Sequence, residues 1–249
     1  EMAMRLLDLF SGIGGFSYAA EKLIGGYETV AFCEMDKFCQ KILKKHWPQV
    51  PIFDDVRTID ATRLGDIDIC TFGFPCQPVS QAGLQKAESD DRWLWDEIIR
   101  ILQASKPKWI IAENVKGLVS VEDGLLIEKC ISDLEAEGYE VQPIIIPACA
   151  VNAPHRRDRV WIIAHSKCNR WAEMVSGKTR IGATPGNGWP ARNAYSCSSA
   201  AETLSAMERV YSEPAILGAD DGIPKRVDRL KALGNAIVPQ VAYEILKHI

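Results

Sequence analysis

The 249-residue chain is long enough for one large domain with a full hydrophobic core. With 47% hydrophobic and 25% charged residues, it has the composition of an average globular protein, which excludes disordered and fibrous classes. No apolar run approaches the ~20 residues that span a bilayer. The first residues lead into a buried-strand pattern instead of a signal peptide, so we expect a soluble, cytoplasmic protein without a membrane partner.

The charges are distributed unevenly. Residues 1–150 carry 15 Lys and Arg against 24 Asp and Glu, whereas residues 151–231 carry 13 against 8. An acidic body with a basic C-terminal third is expected when one face meets a polyanion, although a solvated, loop-rich surface would give the same asymmetry. The eight cysteines show no C-x-x-C pair and no zinc-finger spacing, so they predict neither a disulfide framework nor a metal site.

Short apolar runs alternate with amphipathic stretches over two thirds of the chain. The predicted strands are 5–10, 29–33, 67–72, 109–113, 141–147 and 160–164, and the predicted helices are 15–24, 37–46, 93–105 and 125–137. This alternation favours an α/β fold with a parallel, doubly wound sheet. From about residue 165 onwards Gly, Pro, Ser and Asn replace the periodicity, which predicts a loop-rich insert before a closing helix within 229–249.

A glycine-rich loop, Gly12-Ile13-Gly14-Gly15, follows the first predicted strand. Such a loop lets the backbone approach a ligand just before a helix begins. The spacing is not the dinucleotide G-x-G-x-x-G, which disfavours a NAD-type oxidoreductase. Glu34 follows the second strand, where a carboxylate can accept both ribose hydroxyls, and Asp55 is placed to receive an adenine amino group. Together these residues predict a nucleoside ligand.

Three further motifs carry reactive side chains. Cys76 lies in a Pro-bracketed loop after the strand 67–72, where a parallel sheet has its ligand crevice, so it is a candidate nucleophile, with an inert loop thiol as the alternative reading. Glu113 ends the next strand and supplies a carboxylic acid. Arg157 and Arg159 stand two apart as a strand begins, so their side chains are expected on one face, where they can grip a phosphate or carboxylate, or form a solvated turn.

The residue identities and the order of these motifs, together with residues 233–240 (LGNAIVPQ), resemble those of the DNA (cytosine-5) methyltransferase family over residues 5–164 and 226–249. The resemblance implies a Rossmann-like S-adenosylmethionine-dependent methyltransferase sheet with a small loop-rich target recognition domain. It divides the chain into a catalytic, cofactor-binding domain (1–164), a target recognition domain (165–228) and a C-terminal helix that returns to the catalytic domain (229–249).

The resemblance also implies roles for single residues. Cys76 would add to C6 of a flipped cytosine, Glu113 would donate a proton to N3, Arg159 would contact the base carbonyl, and Arg157 would support the loop or phosphate. The implied S-adenosylmethionine contacts are Phe10, Gly12, Ile13, Gly14, Glu34, Met35, Asp55, Val56, Pro75, Leu94, Asn235 and Ala236. No metal is implied. The candidate DNA contacts are Gln77, Ser80, Arg92, Arg192 and Arg226, and the guesses for base reading are Asn187, Arg192 and Asn193.

Two positions depart from the family pattern. Met35 stands where an aromatic residue usually stacks on adenine, and His155 replaces the first residue of the Gln-x-Arg-x-Arg block. The expected partners are double-stranded DNA and, in a restriction–modification pair, a cognate restriction endonuclease; an orphan methylase is the other form, and a monomer is expected. An RNA (tRNA) cytosine-C5 methyltransferase is the alternative, disfavoured because Phe74 precedes Pro75-Cys76 where that branch tends to have proline. A catalytically dead binding protein is a further alternative, disfavoured because the four catalytic candidates are all present.

Overall fold

The computed structural model describes residues 2–75, 94–167 and 226–249. Within these ranges the strands form one seven-stranded sheet in the order β3-β2-β1-β4-β5-β7-β6. The strands are β1 (Met4–Leu9), β2 (Tyr27–Cys33), β3 (Ile52–Phe53), β4 (Ile69–Gly73), β5 (Trp109–Val115), β6 (Tyr139–Pro147) and β7 (Asp158–Ser166). The chain is therefore of the α/β class, as predicted.

Helices cover both faces of this sheet. They are α1 (Gly15–Tyr18), which continues as a π-helix (Ala19–Ile24), α2 (Lys37–His46), α3 (Trp95–Ser105), α4 (Leu125–Ala136), α5 (Arg226–Asn235) and α6 (Pro239–Leu246). On one face, α3 and α4 bury Trp95, Ile98 and Cys130 against β4 and β5. On the other face, α1 and α6 bury Phe16 and Val241 against the strands. The glycine loop and the ends of β2, β4 and β5 lie along one edge of this layered core.

The prediction of a parallel sheet is wrong for one strand. β1 to β5 pair in parallel, but β7 runs antiparallel to both β5 and β6 between which it lies. The connection from β6 to β7 contains a short 3-10 turn, Ala148–Val151, and no crossover helix. Parallel neighbours need a crossover of a dozen or more residues, whereas antiparallel neighbours can be joined by a short loop. The absence of a predicted helix between these strands was the signal for the reversal.

The remaining differences concern short elements and helix ends. β3 pairs only two residues with β2, which is too short for a periodic pattern to predict. α3 begins at Trp95 instead of residue 93. The C-terminal region forms α5 as well as the predicted closing helix. In the described ranges, none of the helices is long and apolar enough to cross a membrane.

Candidate functional site

The loop after β1 is shaped by positive φ angles at Phe10 (51°), Gly12 (53°) and Gly14 (85°). A Cβ at Gly14 would lie 2.8 Å from Cζ3 of Trp47, because the indole packs directly against the loop. A Cβ at Gly12 would meet nothing within 4 Å beyond its chain neighbours. Ile13 between them is half-buried. Gly14 is therefore required for packing, whereas Gly12 borders open space from which a ligand can reach the backbone.

This difference predicts separate effects of two alanine substitutions. We expect Gly14→Ala to lower the free energy of unfolding by about 1–3 kcal/mol, because a clash with Trp47 adds to the cost of positive φ. Gly12→Ala has the φ cost alone, about 1 kcal/mol, and should retain most of the stability. Urea unfolding of both variants beside the wild type makes the comparison. Equal losses at the two positions would contradict the packing role of Gly14.

Glu34 lies directly behind the glycine loop. Its Oε2 accepts the backbone N–H of Gly12 at 2.7 Å, and its Oε1 accepts the N–H of Asp36 at 2.7 Å. Burial raises the pKa of Glu34, although these two N–H groups oppose the rise. Each carboxylate oxygen keeps acceptor capacity after one such bond. Met35, the next residue, is 78% exposed, so it can contact a ligand that lies over this strand end.

Asp55 lies at the end of β3 in a more local network. Its carboxylate accepts the backbone N–H of Arg57 at 2.9 Å and pairs with Nη2 of the same residue, also at 2.9 Å. The hydrogen bonds and charge of Arg57 hold the pKa of Asp55 below its usual value. Val56, by contrast, is buried in the core. The described contacts of Asp55 are thus those of a cap on the turn Val56–Thr58, and its predicted adenine contact stays a prediction.

A buried carboxyl group behind the loop, Asp8, was not predicted as a functional residue. It is fully buried in β1, where Thr71 Oγ1 donates to Oδ1 at 2.9 Å and Ser17 Oγ donates to Oδ2 at 3.1 Å. Burial raises the pKa of Asp8 to about 8, against the lowering effect of these hydroxyls, and the charge of Glu34 adds to the rise. A single acidic residue within an apolar strand was the available signal. Asp8 ties β1, β4 and α1 together beneath the glycine loop.

An acid–arginine pair occupies the carboxyl end of β5. Glu113 is 8% exposed, and its Oε1 accepts from Nε of Arg159 at 2.9 Å. The register explains this contact, because Glu113 lies opposite Trp161 and Arg159 is its diagonal neighbour on the same face of β7. Burial raises the pKa of Glu113, while the charges of Arg159 and Arg157 lower it less. At a given pH, Glu113 is therefore protonated to a greater extent than an exposed glutamate.

Arg157 lies beside this pair but its guanidinium is bound elsewhere. Its backbone has a φ of 37°, so it precedes the extended part of β7, and the expectation based on strand alternation does not apply to it. Its Nη2 donates to the carbonyl oxygens of Gly234 at 2.8 Å and Ala236 at 2.7 Å. The charges of both arginines nevertheless lower the pKa of Glu113. Asn235, between the two carbonyls, is exposed.

The base of the predicted nucleophile loop lies next to Glu113. Gly73 is the register partner of Glu113, and a Cβ on Gly73 would lie 3.5 Å from Oε2 of that acid. The buried Asn114 donates from Nδ2 to the carbonyl of Phe74 at 3.1 Å, which fixes the chain just before Pro75. The loop that leads to the predicted nucleophile therefore departs from a position beside the acid.

Several predicted residues lie outside the described residues. These are Cys76, Gln77, Ser80, Arg92, Asn187, Arg192 and Asn193. Most of the predicted target recognition domain lies there too, and the side chain of Arg226 in α5 is not described. Leu94 is half-buried just before α3. In the described ranges no three His, Cys, Asp or Glu side chains cluster as a metal site.

Comparison with known proteins gives a consistent result. The model of the family "C-5 cytosine-specific DNA methylase" matches residues 4–206. The Type II methyltransferase M.NlaX of Neisseria lactamica is 31% identical over 182 residues, which cover 72% of this chain and 58% of that protein. The orphan methyltransferase M.SPRI of Bacillus phage SPR is 34% identical, over 64% of this chain and 37% of its own. The chain thus spans from about a third to little over half of these relatives' length.

A solved structure supports the fold. A mutant of DNMT2 from Spodoptera frugiperda superposes with a TM-score of 0.58 at 23% identity, over 68% of this chain and 52% of that chain. This likeness concerns the fold alone, and it confirms the predicted Rossmann-like methyltransferase sheet.

Proposed function

Because the chain belongs to the C-5 cytosine-specific DNA methylase family, we propose that it transfers a methyl group from S-adenosylmethionine to C5 of cytosine in duplex DNA. One observation carries this proposal. The buried Glu113 sits at the carboxyl end of β5, and the neighbouring Asn114 holds the carbonyl of Phe74 at the start of the loop that bears Cys76. A thiol nucleophile and an acid are what C5 methylation of a pyrimidine needs side by side.

The residues around the glycine loop fit the cofactor. Gly12 borders open space, and the half-buried carboxylate of Glu34 lies against its backbone, which suits a ribose with two hydroxyl donors. Met35 is exposed beside it for contact with the base. When bound, S-adenosylmethionine supplies the electrophilic methyl group. The remaining proposed contacts are Phe10 and Pro75, which follow β1 and β4, Leu94, which precedes α3, and Asn235, which is the last residue of α5.

The chain's own residues would make C5 reactive. Cytosine C5 is a weak nucleophile, and addition of the Cys76 thiolate to C6 turns the ring into an enamine that is stronger at C5. Glu113 holds a proton that it donates to N3 as negative charge develops there, and Arg159 stabilises the base carbonyl. After methylation a water molecule takes the C5 proton as base, the electron pair left at C5 restores the C5–C6 double bond and expels the Cys76 thiolate, and N3 returns its proton to Glu113. Each residue then regains its starting state.

The substrate has to leave the duplex for this chemistry, because C5 and C6 are stacked inside the helix. We propose that Gln77 and Ser80 fill the gap that the flipped base leaves in the duplex or hold the flanking phosphate. Phosphate contacts are assigned to Arg92, Arg192 and Arg226, and sequence recognition is assigned to residues 165–228. We further propose that the enzyme acts as a monomer in the cytoplasm, either as an orphan methylase or beside a cognate restriction endonuclease. Its family relatives include proteins named as both Type II and orphan methyltransferases.

Covalent trapping tests the proposal. Duplex DNA in which 5-fluorocytosine replaces cytosine is incubated with the protein and S-adenosylmethionine, and the products are run on a denaturing gel. Fluorine replaces the hydrogen at C5 and cannot leave as a cation, so the C6–S bond cannot break and an adduct accumulates. We expect an adduct that requires the cofactor and disappears in Cys76→Ser. The matched control is Cys149→Ser, because Cys149 is exposed and free but lies outside the site.

The other outcomes are equally informative. An adduct on fluorinated RNA and none on DNA would replace the proposal with the RNA-directed alternative. No adduct on either substrate would contradict the enzymatic proposal, and retained cofactor binding would then indicate a binding protein. Footprinting a DNA adduct would identify the target sequence.

A further inference from the structure

The short segment 234–237 comprises the last two residues of α5 and the first two residues of the connection to α6, and it lies between two parts of the proposed site. One end contacts the arginine beside the catalytic acid, through the carbonyls of Gly234 and Ala236. The other end reaches the start of α1, where Ile237 packs on Gly15. The contacts join residues more than 75 positions apart, since Arg157 and Gly234 are separated by 77. The segment therefore spans from the catalytic side of the site to the glycine loop.

The contact with Arg157 is specific. One guanidinium nitrogen donates to two carbonyl oxygens, at 2.8 and 2.7 Å, and these oxygens flank Asn235. Hydrogen bonds from a charged donor are stronger than neutral ones, and the planar guanidinium holds the two N–H groups of Nη2 in fixed directions, which the flexible ammonium of a lysine does not. The backbone of Arg157 adopts a φ of 37°, a conformation that L-residues with a long side chain rarely take. In this conformation the side chain of Arg157 reaches the segment.

The contact with Gly15 is tight in a way that admits only glycine. A Cβ on Gly15 would lie 2.6 Å from Cγ1 of Ile237, closer than carbon atoms approach each other. A second link comes from α5, where Nζ of Lys231 lies 3.1 Å from Oδ2 of Asp36. Asp36 also donates its N–H to Glu34. A displacement of the segment would therefore disturb both the glycine loop and Glu34, the proposed ribose ligand.

We propose that Arg157 is a positioning residue for the cofactor, which acts by fixing the segment 234–237 against the glycine loop. The proposal rests on the proposed function, since it concerns the S-adenosylmethionine site. It separates the two arginines of one motif: Arg159 contacts Glu113 and serves the target base, whereas Arg157 serves the cofactor through the segment. Loss of Arg157 should then weaken cofactor binding more than it slows the saturated enzyme.

Cofactor affinity without DNA is the first measurement. Titration calorimetry with S-adenosylhomocysteine is applied to wild type, Arg157→Ala, Arg157→Lys and Arg159→Lys. We expect Arg157→Ala to raise Kd on the order of tenfold, equivalent to about 1.4 kcal/mol, and Arg157→Lys to lie between it and wild type. Arg159→Lys should leave Kd within about twofold and lower kcat instead. With DNA, Arg157→Ala should raise KM for the cofactor by a larger factor than it lowers kcat.

A double-mutant cycle tests the route of the effect. Ile237→Ala removes the contact at the other end of the segment and should also weaken binding. If both residues act through the segment, the double variant loses less affinity than the sum of the single losses. Additive losses, an unchanged Kd in Arg157→Ala, or an equal rise in Arg159→Lys would overturn the proposal. Should Arg157→Ala not fold, Ile237→Ala and Arg157→Lys still decide it. A wild type that binds no S-adenosylhomocysteine would instead contradict the proposed function.

Discussion

Glu113→Gln is expected to lower the rate of cytosine methylation by about 100- to 10,000-fold, the range for loss of a general acid. Glutamine keeps the shape of the side chain and can donate a hydrogen bond to N3, but it cannot transfer a proton. Arg159 also loses the anionic partner that lies 2.9 Å away. Cofactor affinity should change little, because no described contact joins Glu113 to the glycine loop.

The pH dependence gives the same prediction an independent readout. Glu113 must be protonated to act, so the rate should fall as pH rises through its pKa, which burial has raised. In Glu113→Gln this fall should be absent. Single-turnover methylation across the pH range measures both the loss of rate in Glu113→Gln and the decrease of the wild-type rate with rising pH. The matched control is Glu140→Gln, because Glu140 lies on the exposed side of β6 with a side chain 69% exposed, and near-wild-type activity is expected. A rate within tenfold of wild type in Glu113→Gln would rule out general-acid catalysis by this residue.

Asp8→Asn is expected to change how stability depends on pH. Asp8 has a pKa of about 8 in the folded protein, mainly because it is buried, whereas an aspartate in the unfolded chain has a pKa near 3.9. Between these values the folded state holds a proton that the unfolded state has lost. The free energy of unfolding should therefore fall by about 1.4 kcal/mol for each pH unit, with the full contribution present below about pH 4 and lost above about pH 8.

Asparagine cannot ionise, so this slope should be missing from the variant. Urea unfolding at about pH 5.5 and about pH 7 should show that wild type loses about 2 kcal/mol more than Asp8→Asn over the interval. Comparing the change with pH, and not the absolute stability, separates ionisation from any packing cost of the amide. Asp54→Asn is the control, because the side chain of Asp54 is 69% exposed. Parallel pH profiles for wild type and Asp8→Asn would show that Asp8 does not titrate as its burial implies.

The motifs near strand ends could be predicted because their chemistry depends on residues adjacent in the chain. The glycine loop follows β1 and turns with positive φ angles, and Glu113 lies near the carboxyl end of β5, which continues two residues beyond the predicted end to Val115. The register of parallel strands brings such ends to one edge of the sheet, so separate motifs can be assigned to one site. The α/β class and the helix positions followed from periodicity for the same local reason.

Some roles could not be read from neighbouring residues. The adenine contact of Asp55 stays a prediction, because its described partner is Arg57, two positions away, and no sequence pattern distinguishes these two uses of a carboxylate. Asp8 was visible as an acid in an apolar strand, yet its pKa is raised because the packed molecule buries it, and this burial outweighs the lowering effect of the hydroxyl of Thr71, 63 residues later. Desolvation is a property of the packed molecule, so it has no signature in the chain.

The sequence by itself determined the fold class, the family resemblance and the identity of the reactive groups, because these depend on residue type, spacing and order. The tertiary structure alone decided the direction of β7, the pairing of Glu113 with Arg159 and the attachment of Arg157 to the segment 234–237. Each of these is a contact between distant parts of the chain. The geometry of such contacts is set by sheet register and packing, which a linear pattern does not contain.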